Sequence, residues 1–170
     1  MGTAPSNENY IEHLLAVQEG LYELKAQFVQ DRKTPEFLSV FEKPEPLVSV
    51  CIATANRPKL LIQRCIASLL RQTYANLQIV VVGDHCVDET EYEMSKVRDS
   101  RVQFENLPER GPYPPFGQDR WFVAGSRPMN RALELSEGDF IAHLDDDDES
   151  VPDRIEKLLV GKVANGGPQK

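Results

Sequence analysis

The stretch Leu77-Gln-Ile-Val-Val-Val-Gly-Asp84 decides the fold class of this chain. It is a short, continuous apolar run rich in β-branched residues, and such a run is typical of a strand that is buried on both faces of a parallel sheet. Polar residues follow it directly at its carboxyl end. Because both faces of such a strand must be covered, the run predicts helices on the two sides of a sheet.

Segments with strand spacing and helical spacing alternate on both sides of this run. Upstream, residues 47–53 are predicted as a strand and residues 58–72 as a helix. Downstream, the predicted order is helix, strand, long loop, helix, strand and helix, over residues 89–98, 101–104, 106–121, 126–136, 140–144 and 151–163. Strands that alternate with helices indicate right-handed βαβ units, so we expect an α/β fold with a mostly parallel sheet and flanking helices.

The first 46 residues have a different pattern. From Asn9 to about Arg32, apolar residues recur at helical spacing, which predicts an amphipathic helix that packs on the domain or pairs with another chain. Prolines at positions 35, 44 and 46 predict a linker over residues 33–46. We therefore expect a helix and linker in residues 1–46, an α/β domain in residues 47–164 and a flexible tail in residues 165–170.

The composition is that of a folded globular domain with an acidic surface. Of the 170 residues, 41% are hydrophobic and 27% are charged, and the formal net charge is -8. This charge repels nucleic acid, so no nucleic-acid partner is expected. The sequence shows no signal peptide and no apolar run of membrane-spanning length, and its three cysteines lack CxxC spacing. These features predict a soluble cytoplasmic protein.

Three of the predicted strands end in polar loops. In open α/β sheets, ligands bind beyond the carboxyl ends of the strands, so these loops are the candidate binding segments. They are residues 54–58 (TANRP), 83–88 (GDHCVD) and 145–149 (DDDDE). We expect their polar groups to converge at one edge of the sheet.

The run from Asp145 to Asp148 is the strongest chemical signal. Carboxylates about 5 Å apart repel each other by on the order of 3 kcal/mol at an effective dielectric constant near 20. A divalent cation offsets this repulsion, and oxygen donors without interleaved His or Cys favour Mg²⁺ or Mn²⁺. The alternative is a solvated acidic turn. The position at the end of a predicted buried strand favours the metal site.

Asp84 has two interpretations. Its carboxylate follows an apolar strand, where it could accept a hydrogen bond from an N–H group of a nucleoside base, or it is a turn or helix-cap residue. Asp88 is predicted to cap the next helix, and His85, His143 and Cys86 have no partner at catalytic spacing. Neither a serine-hydrolase elbow nor a glycine-rich phosphate loop is present.

Taken in order, five segments resemble the landmarks of the family 2 glycosyltransferases of the GT-A fold. They are residues 48–58 (VSVCIATANRP), 72–74 (QTY), 80–84 (VVVGD), 130–138 (NRALELSEG) and 144–148 (LDDDD), followed by Pro152. The resemblance covers roughly residues 47 to 160. It implies a Rossmann-like GT-A sheet and an enzyme that uses a nucleotide-sugar donor, with a UDP-sugar as the expected donor.

The resemblance also assigns roles to positions in this sequence. A nucleotide site is implied at the strand ends, formed by Thr54, Ala55, Asn56, Arg57, Asp84, Asp145 and Asp146. Within it, Asp84 binds the base, Asp145 reaches the ribose or the surroundings of the metal, and Asp147 holds a Mn²⁺ or Mg²⁺ ion that bridges the donor diphosphate. Arg110 or Arg120 in the long loop is expected to add positive charge beside the diphosphate.

The implied reaction is a metal-dependent, inverting transfer of a hexosyl group to an unknown sugar, lipid or protein acceptor. The family's acceptor region and its base lie downstream of the aspartate motif, and only about one helix follows that motif here. We therefore expect this chain alone to bind donor without transferring sugar, and no residue is assigned as the base. Apolar surface left uncovered, or the N-terminal helix, is expected to support a homo-oligomer.

Two other classes of function stay open. A sugar-nucleotide nucleotidyltransferase would carry a glycine-rich basic loop after the first strand, and residues 54–59 contain no glycine. A non-catalytic nucleotide-binding or assembly module would keep the fold without the chemistry. Binding of UDP with and without a divalent cation separates such a module from a metal-dependent donor site.

Overall fold

A computed structural model describes the backbone of residues 7–114, 120 and 123–165, and the side chains of residues 18–114, 120 and 123–160. The chain divides into two units, Met1–Lys43 and Pro44–Lys170. The first unit contains the long helix α1 (Asn7–Asp31), which confirms the predicted N-terminal helix. It also contains the short helix α2 (Pro35–Ser39) and a 3₁₀ turn (Val40–Glu42), so part of the expected linker is helical.

The start of α2 explains why this part of the linker is helical despite its proline. Pro35 occupies the first turn, where its missing N–H group costs nothing and its fixed φ angle suits a helix. Thr34 caps the helix, because its Oγ1 accepts a hydrogen bond of 3.2 Å from the N–H group of Phe37. The prediction took Pro35 as a sign of irregular structure, and here it is a helix-start signal instead.

The second unit is built on a four-stranded parallel sheet. Its strands are β1 (Val48–Thr54), β2 (Leu77–Gly83), β3 (Val102–Asn106) and β4 (Phe140–His143), in the order β3-β2-β1-β4. The pairing of β1 with β2 runs from Val48 opposite Leu77 to Thr54 opposite Gly83, so both strands end at the same level. This sheet confirms the predicted α/β fold.

Helices connect the strands and cover both faces of the sheet. Helix α3 runs through Pro58–Leu60, a π-helical segment at Leu61–Ile66 and Ala67–Leu70. The others are α4 (Thr90–Met94), α5 (Ser126–Glu134) and α6 (Arg154–Asn165). Among the helices in the described part of the chain, none has both the length and the apolar character that crossing a bilayer requires.

Two apolar clusters hold the sheet between these helices. On one face, alternate residues of β1 and β2 pack against Leu61, Ile66 and Leu69 of α3. On the other face, Cys51 of β1 packs with Ala132 of α5 and with the β2 residues whose side chains point to that face. Successive side chains of a strand point to opposite faces, so a strand covered on both faces must be apolar at nearly every position. This is the physical reason why β1 and β2 are apolar at most of their positions.

The start of α6 differs from the prediction. Ser150 and Asp153 have the spacing of a capping box for a helix over residues 151–163, yet α6 begins only at Arg154. The side chain of Gln72 occupies this region instead: its Nε2 donates to Ser150 Oγ, and its Oε1 accepts the N–H group of Ile155. The capping-box interpretation is therefore wrong, because a side chain from the segment just after α3 fulfils the capping role.

The helix predicted over residues 89–98 is also shorter in the structure, since α4 spans only Thr90–Met94. Its start agrees with the role expected of Asp88, whose Oδ1 accepts a hydrogen bond of 3.0 Å from the N–H group of Thr90. Beyond Met94 the chain turns towards β3, which begins at Val102.

Candidate functional site

The loops after β1, β2 and β4 open onto one cavity of about 500 Å³. Most of the residues predicted to bind nucleotide or metal line it, namely Thr54, Ala55, Arg57, Asp84, Asp145, Asp146 and Asp147. Three further lining residues, Arg110, Tyr113 and Arg120, come from the segment after β3. The cavity lies at the carboxyl ends of the strands because all the strand pairings are parallel and β1 and β2 end together.

Asp146 is the buried member of the aspartate run, with only 6% of its surface exposed. Its Oδ2 accepts a hydrogen bond of 2.7 Å from Thr54 Oγ1, and its Oδ1 lies 3.2 Å from Arg57 Nη1. Both carboxylate oxygens are therefore engaged by the loop after β1. The structure places Asp146 in the cavity wall, where it fixes the position of the aspartate loop.

Asp145 and Asp147 are oriented differently from Asp146. Their side chains are 66% and 49% exposed, respectively, and both line the cavity. Asp147 Oδ2 lies 3.1 Å from Arg57 Nη1, and Asp145 Oδ1 lies 3.4 Å from His143 Nε2. In a turn, consecutive side chains point in different directions, so a run of four aspartates here gives one buried anchor and two carboxylates that face the cavity.

These two carboxylates fit a magnesium-type or manganese-type ion. Mg²⁺ is commonly held by one or two protein carboxylates, with substrate phosphates and water completing its coordination. Asp145 and Asp147 supply this number of oxygen donors at the cavity surface. Among the side chains that the structure describes, no three His, Cys, Asp or Glu residues form a cage that would hold a metal without help from a ligand.

Asn56 does not line the cavity, although it was predicted to bind nucleotide. Its backbone has a φ of 55°, a left-handed conformation that Asn adopts more easily than most residues. Its Oδ1 accepts a hydrogen bond of 2.9 Å from the N–H group of Val87, which belongs to the loop after β2. In the structure, Asn56 thus connects the loops that follow β1 and β2.

Asp84 is buried at the end of β2, with 4% of its surface exposed. Its Oδ2 lies 3.3 Å from Arg110 Nε, while its Oδ1 is buried and has no hydrogen-bond partner among the residues that the structure describes. An unpaired buried acceptor costs about 1–3 kcal/mol, so this oxygen is a strong candidate for contact with a ligand donor. The pairing with Arg110 was not predicted from the sequence, where Arg110 or Arg120 was expected beside the diphosphate.

Asn106, the last residue of β3, fixes the loop that carries Asp84. Its Oδ1 accepts a hydrogen bond of 2.8 Å from the N–H group of Cys86, and its Nδ2 donates one of 2.9 Å to the Cys86 carbonyl. A Cβ atom on Gly83 would lie 2.6 Å from Asn106 Oδ1, so only glycine fits beside this amide. Burial raises the pKa of the Cys86 thiol, which is therefore neutral beside Asp84.

Tyr113 is a lining residue that the sequence did not identify. It is an aromatic side chain in the cavity, and its hydroxyl is buried beside the Asp84 carboxylate. The available signal was the length of the proline-rich and glycine-rich loop over residues 106–121, which indicates function but does not single out Tyr113. Arg120 also lines the cavity, as the prediction for the diphosphate requires.

Comparisons with known proteins agree with this geometry. The family model for Glycosyl transferase family 2 matches residues 49–114. Two Escherichia coli proteins described as UDP-Glc:alpha-D-GlcNAc-diphosphoundecaprenol beta-1,3-glucosyltransferases are similar to the chain. WfgD is 33% identical over 120 residues, which cover 70% of this chain and 42% of that protein. WfaP is 36% identical over 114 residues, which cover 66% of this chain and 40% of that protein.

A solved structure shares the fold. The crystal structure of S. aureus TarS 1-349 in complex with UDP-GlcNAc aligns with 69% of this chain and 31% of that chain, with a TM-score of 0.57 and 23% identity. The chain spans about two fifths of the length of the curated relatives named above. The matched residues 49–114 contain β2 and β3, most of β1 and two of the strand-end loops, and the chain belongs to glycosyl transferase family 2.

Proposed function

We propose that this chain forms the donor site of a glycosyltransferase that binds a UDP-sugar together with Mn²⁺ or Mg²⁺ and transfers the sugar with inversion. The observation that carries this proposal is the shared cavity: buried Asp84 and the outward-facing Asp145 and Asp147 line the same space at the carboxyl ends of parallel strands. WfgD and WfaP are both described as transferases that use UDP-Glc, which supports a UDP-sugar as the donor.

The order of the strands supports a separation of the base site from the diphosphate site. Asp84 follows β2, the aspartate loop follows β4, and β1 lies between these two strands. Neighbouring strands are about 4.8 Å apart, so the two carboxylate groups leave the sheet roughly 10 Å apart. A nucleotide spans such a distance from its base to its diphosphate. We therefore assign the base to Asp84 and the diphosphate to the side of Asp145 and Asp147.

On the diphosphate side, Asp145 and Asp147 would hold the divalent cation. When bound, this cation supplies Lewis-acid stabilisation of the departing nucleoside diphosphate. Arg57 keeps Asp147 beside buried Asp146 through one guanidinium nitrogen, which contacts both carboxylates. Arg120, which lines the same cavity, is proposed to contribute a positive charge for the phosphate oxygens.

We propose sugar transfer only for a protein as long as WfgD and WfaP, because this chain spans about two fifths of their length. No described residue is assigned as the base that deprotonates the acceptor hydroxyl, and the acceptor is a sugar, lipid or protein. The three free, buried cysteines support a reducing, cytoplasmic location. Exposed apolar side chains on α6, such as Leu158 and Val160, support self-association of the second unit.

The experiment is calorimetric titration of the full chain with UDP, once with Mn²⁺ and once with a chelator. We expect measurable binding with the cation and much weaker binding with the chelator. Equal affinity under both conditions would contradict the metal site while keeping the nucleotide site. Absence of UDP binding under both conditions would favour the assembly module that keeps the fold without the chemistry.

A further inference from the structure

The segment from Leu107 to Pro114, which follows β3, supplies Arg110 and Tyr113 to the cavity but has little backbone bonding of its own. Among the described residues, its backbone N–H groups make two hydrogen bonds to other backbone groups, from Leu107 to the Gly83 carbonyl and from Tyr113 to the Gly111 carbonyl. Three of its eight residues are prolines, which have no N–H group. Side chains from other elements must therefore hold this part of the cavity wall in place.

Arg127, near the start of α5, supplies this support with its guanidinium group. Its Nη1 donates hydrogen bonds of 3.3 Å each to the carbonyl oxygens of Glu109 and Arg110, and its Nη2 donates one of 3.1 Å to Glu109 Oε1. A guanidinium group has five N–H donors in a fixed plane, so one side chain can bond to several oxygens of a loop. The Tyr113 hydroxyl also lies against the backbone of Gly125 and Arg127. The start of α5 thus holds the segment at two points.

The position of Arg127 within α5 argues against a role in helix stability. The helix begins at Ser126, so Arg127 lies in the first turn, at the positive end of the helix dipole, where a cation is unfavourable. Arg131 lies one turn later, where a cation is favourable, and it pairs with Glu134 of α5 and Glu105 of β3. Arg131 therefore fastens α5 to the sheet, whereas Arg127 fastens the segment after β3 to α5.

The contact with Arg127 also determines where the side chain of Arg110 begins. The Arg110 carbonyl accepts a hydrogen bond from Arg127, and the Arg110 side chain reaches Asp84, with Nε 3.3 Å from Oδ2. Arg110 is thus held at both ends, between α5 and the end of β2. A wall that is ordered before the ligand arrives lowers the entropy cost of binding, because the ligand need not order it.

We infer that Arg127 is a positioning residue that fixes the segment from Leu107 to Pro114 as a preformed wall of the cavity. Its effect on the segment is independent of what the cavity binds. Its effect on nucleotide affinity rests on the proposed function, since it requires that a nucleotide enters this cavity. The two effects are measured separately.

The first test measures the order of the segment by limited trypsin digestion of the full chain, followed by mass spectrometry. Trypsin cleaves after arginine, so the rate of cleavage after Arg110 reports how often the segment leaves its place. Cleavage after Arg64, within α3, reports wider opening of the domain. In Arg127→Ala the ratio of the Arg110 rate to the Arg64 rate should rise about tenfold. A general loss of stability would raise both rates and leave the ratio unchanged.

Two control variants separate the contacts of Arg127. Arg131→Ala removes an arginine of the same helix that bonds to Glu105 and Glu134, so it should leave the ratio unchanged. Glu109→Ala removes a carboxylate that is 75% exposed, whose ion pair contributes little, so the ratio should rise far less than in Arg127→Ala. An unchanged ratio in Arg127→Ala, or an equal rise in Arg131→Ala, would overturn the inference.

The second test measures UDP binding in Mn²⁺ by calorimetry. Arg127→Ala should weaken UDP binding about five- to tenfold, because UDP must then order the segment as it binds, and Arg131→Ala should leave the affinity unchanged. Unchanged UDP affinity in Arg127→Ala, despite faster cleavage after Arg110, would overturn the role in nucleotide binding. If the unchanged protein binds no UDP, the proposed function fails, while the cleavage rates still decide whether Arg127 fixes the segment.

Discussion

Thr54 Oγ1 donates a hydrogen bond of 2.7 Å to Asp146 Oδ2, although the two residues are 92 positions apart in the sequence. This bond joins the end of β1 to the aspartate loop after β4. Both side chains are buried, and Arg57 occupies the other oxygen of Asp146. The bond therefore determines which carboxylates of the run face the cavity.

Loss of the Thr54 hydroxyl should destabilise the fold. In Thr54→Val the shape is kept but the buried Asp146 oxygen loses its donor, so the free energy of unfolding should fall by about 1–3 kcal/mol. Urea denaturation followed by circular dichroism measures this change. Thr54→Ser keeps the hydroxyl and should stay closer to the unchanged protein. A valine variant as stable as the unchanged protein would show that the bond contributes little.

Asp147 should carry the effect of the metal on nucleotide binding. In Asp147→Ala the affinity for UDP should become the same with Mn²⁺ as with a chelator, because one of the two outward-facing donors is lost. Calorimetry with both solutions measures it. Glu149→Ala is the matched control, since Glu149 lies in the same loop and makes only an exposed ion pair with Arg71. An alanine variant at Asp147 that still responds to Mn²⁺ would contradict the assignment.

Asp84→Asn should narrow the difference between UDP and CDP affinity. The Asp84 carboxylate only accepts hydrogen bonds, whereas the carboxamide that replaces it has one donor group and one acceptor oxygen. Cytosine N3 would therefore gain a hydrogen-bond donor, and uracil N3–H would have one acceptor oxygen instead of two. We expect the difference in binding free energy to shrink by about 1–3 kcal/mol. Asp88→Asn is the control in the same loop, because Asn caps α4 as well as Asp does. An unchanged preference would make Asp84 a turn residue.

The buried cysteines should resist labelling while the protein is folded. Burial raises the pKa of Cys65 to about 12, and the charges of the nearby aspartate loop raise it in the same direction. A raised thiol pKa favours the neutral form, so at pH 8 the thiolate fraction is on the order of 10⁻⁴. Labelling with a disulfide reagent should be slow between pH 7 and pH 9 and rapid in denaturant. Fast labelling of Cys65 in the native protein would mean that α3 opens readily.

The sheet could be predicted from the sequence because burial on both faces restricts the residue types that a strand can contain. The run from Leu77 to Gly83 is apolar at nearly every position since both its faces are covered, and Asp84 marks the point where the cover ends. The alignment of parallel strands predicted separately that the loops after β1, β2 and β4 lie close together. Parallel strands place their carboxyl ends at one edge, so the convergence follows from topology alone.

The contacts from irregular segments could not be predicted in this way. Arg110 and Tyr113 reach the cavity from a loop that has no periodicity, so no spacing rule relates them to Asp84. Ser150 has the spacing of a cap, but Gln72, which follows α3, donates a hydrogen bond to it instead. Both cases are contacts between segments that are far apart in the sequence, and local sequence patterns contain little information about such contacts.

The double hydrogen bond between Asn106 and Cys86 has a consequence for the lifetime of the protein. Only one orientation of the amide satisfies both bonds, and its oxygen lies where a side chain on residue 83 would clash with it. Spontaneous deamidation, the common ageing reaction of asparagine, would replace the Nδ2 donor with an oxygen that faces the Cys86 carbonyl. Since this amide holds the loop of Asp84, conversion of Asn106 to Asp would loosen that loop. The backbone nitrogen that would have to attack the amide belongs to Leu107 and is hydrogen-bonded to the Gly83 carbonyl, so the fold that depends on this amide also slows its loss.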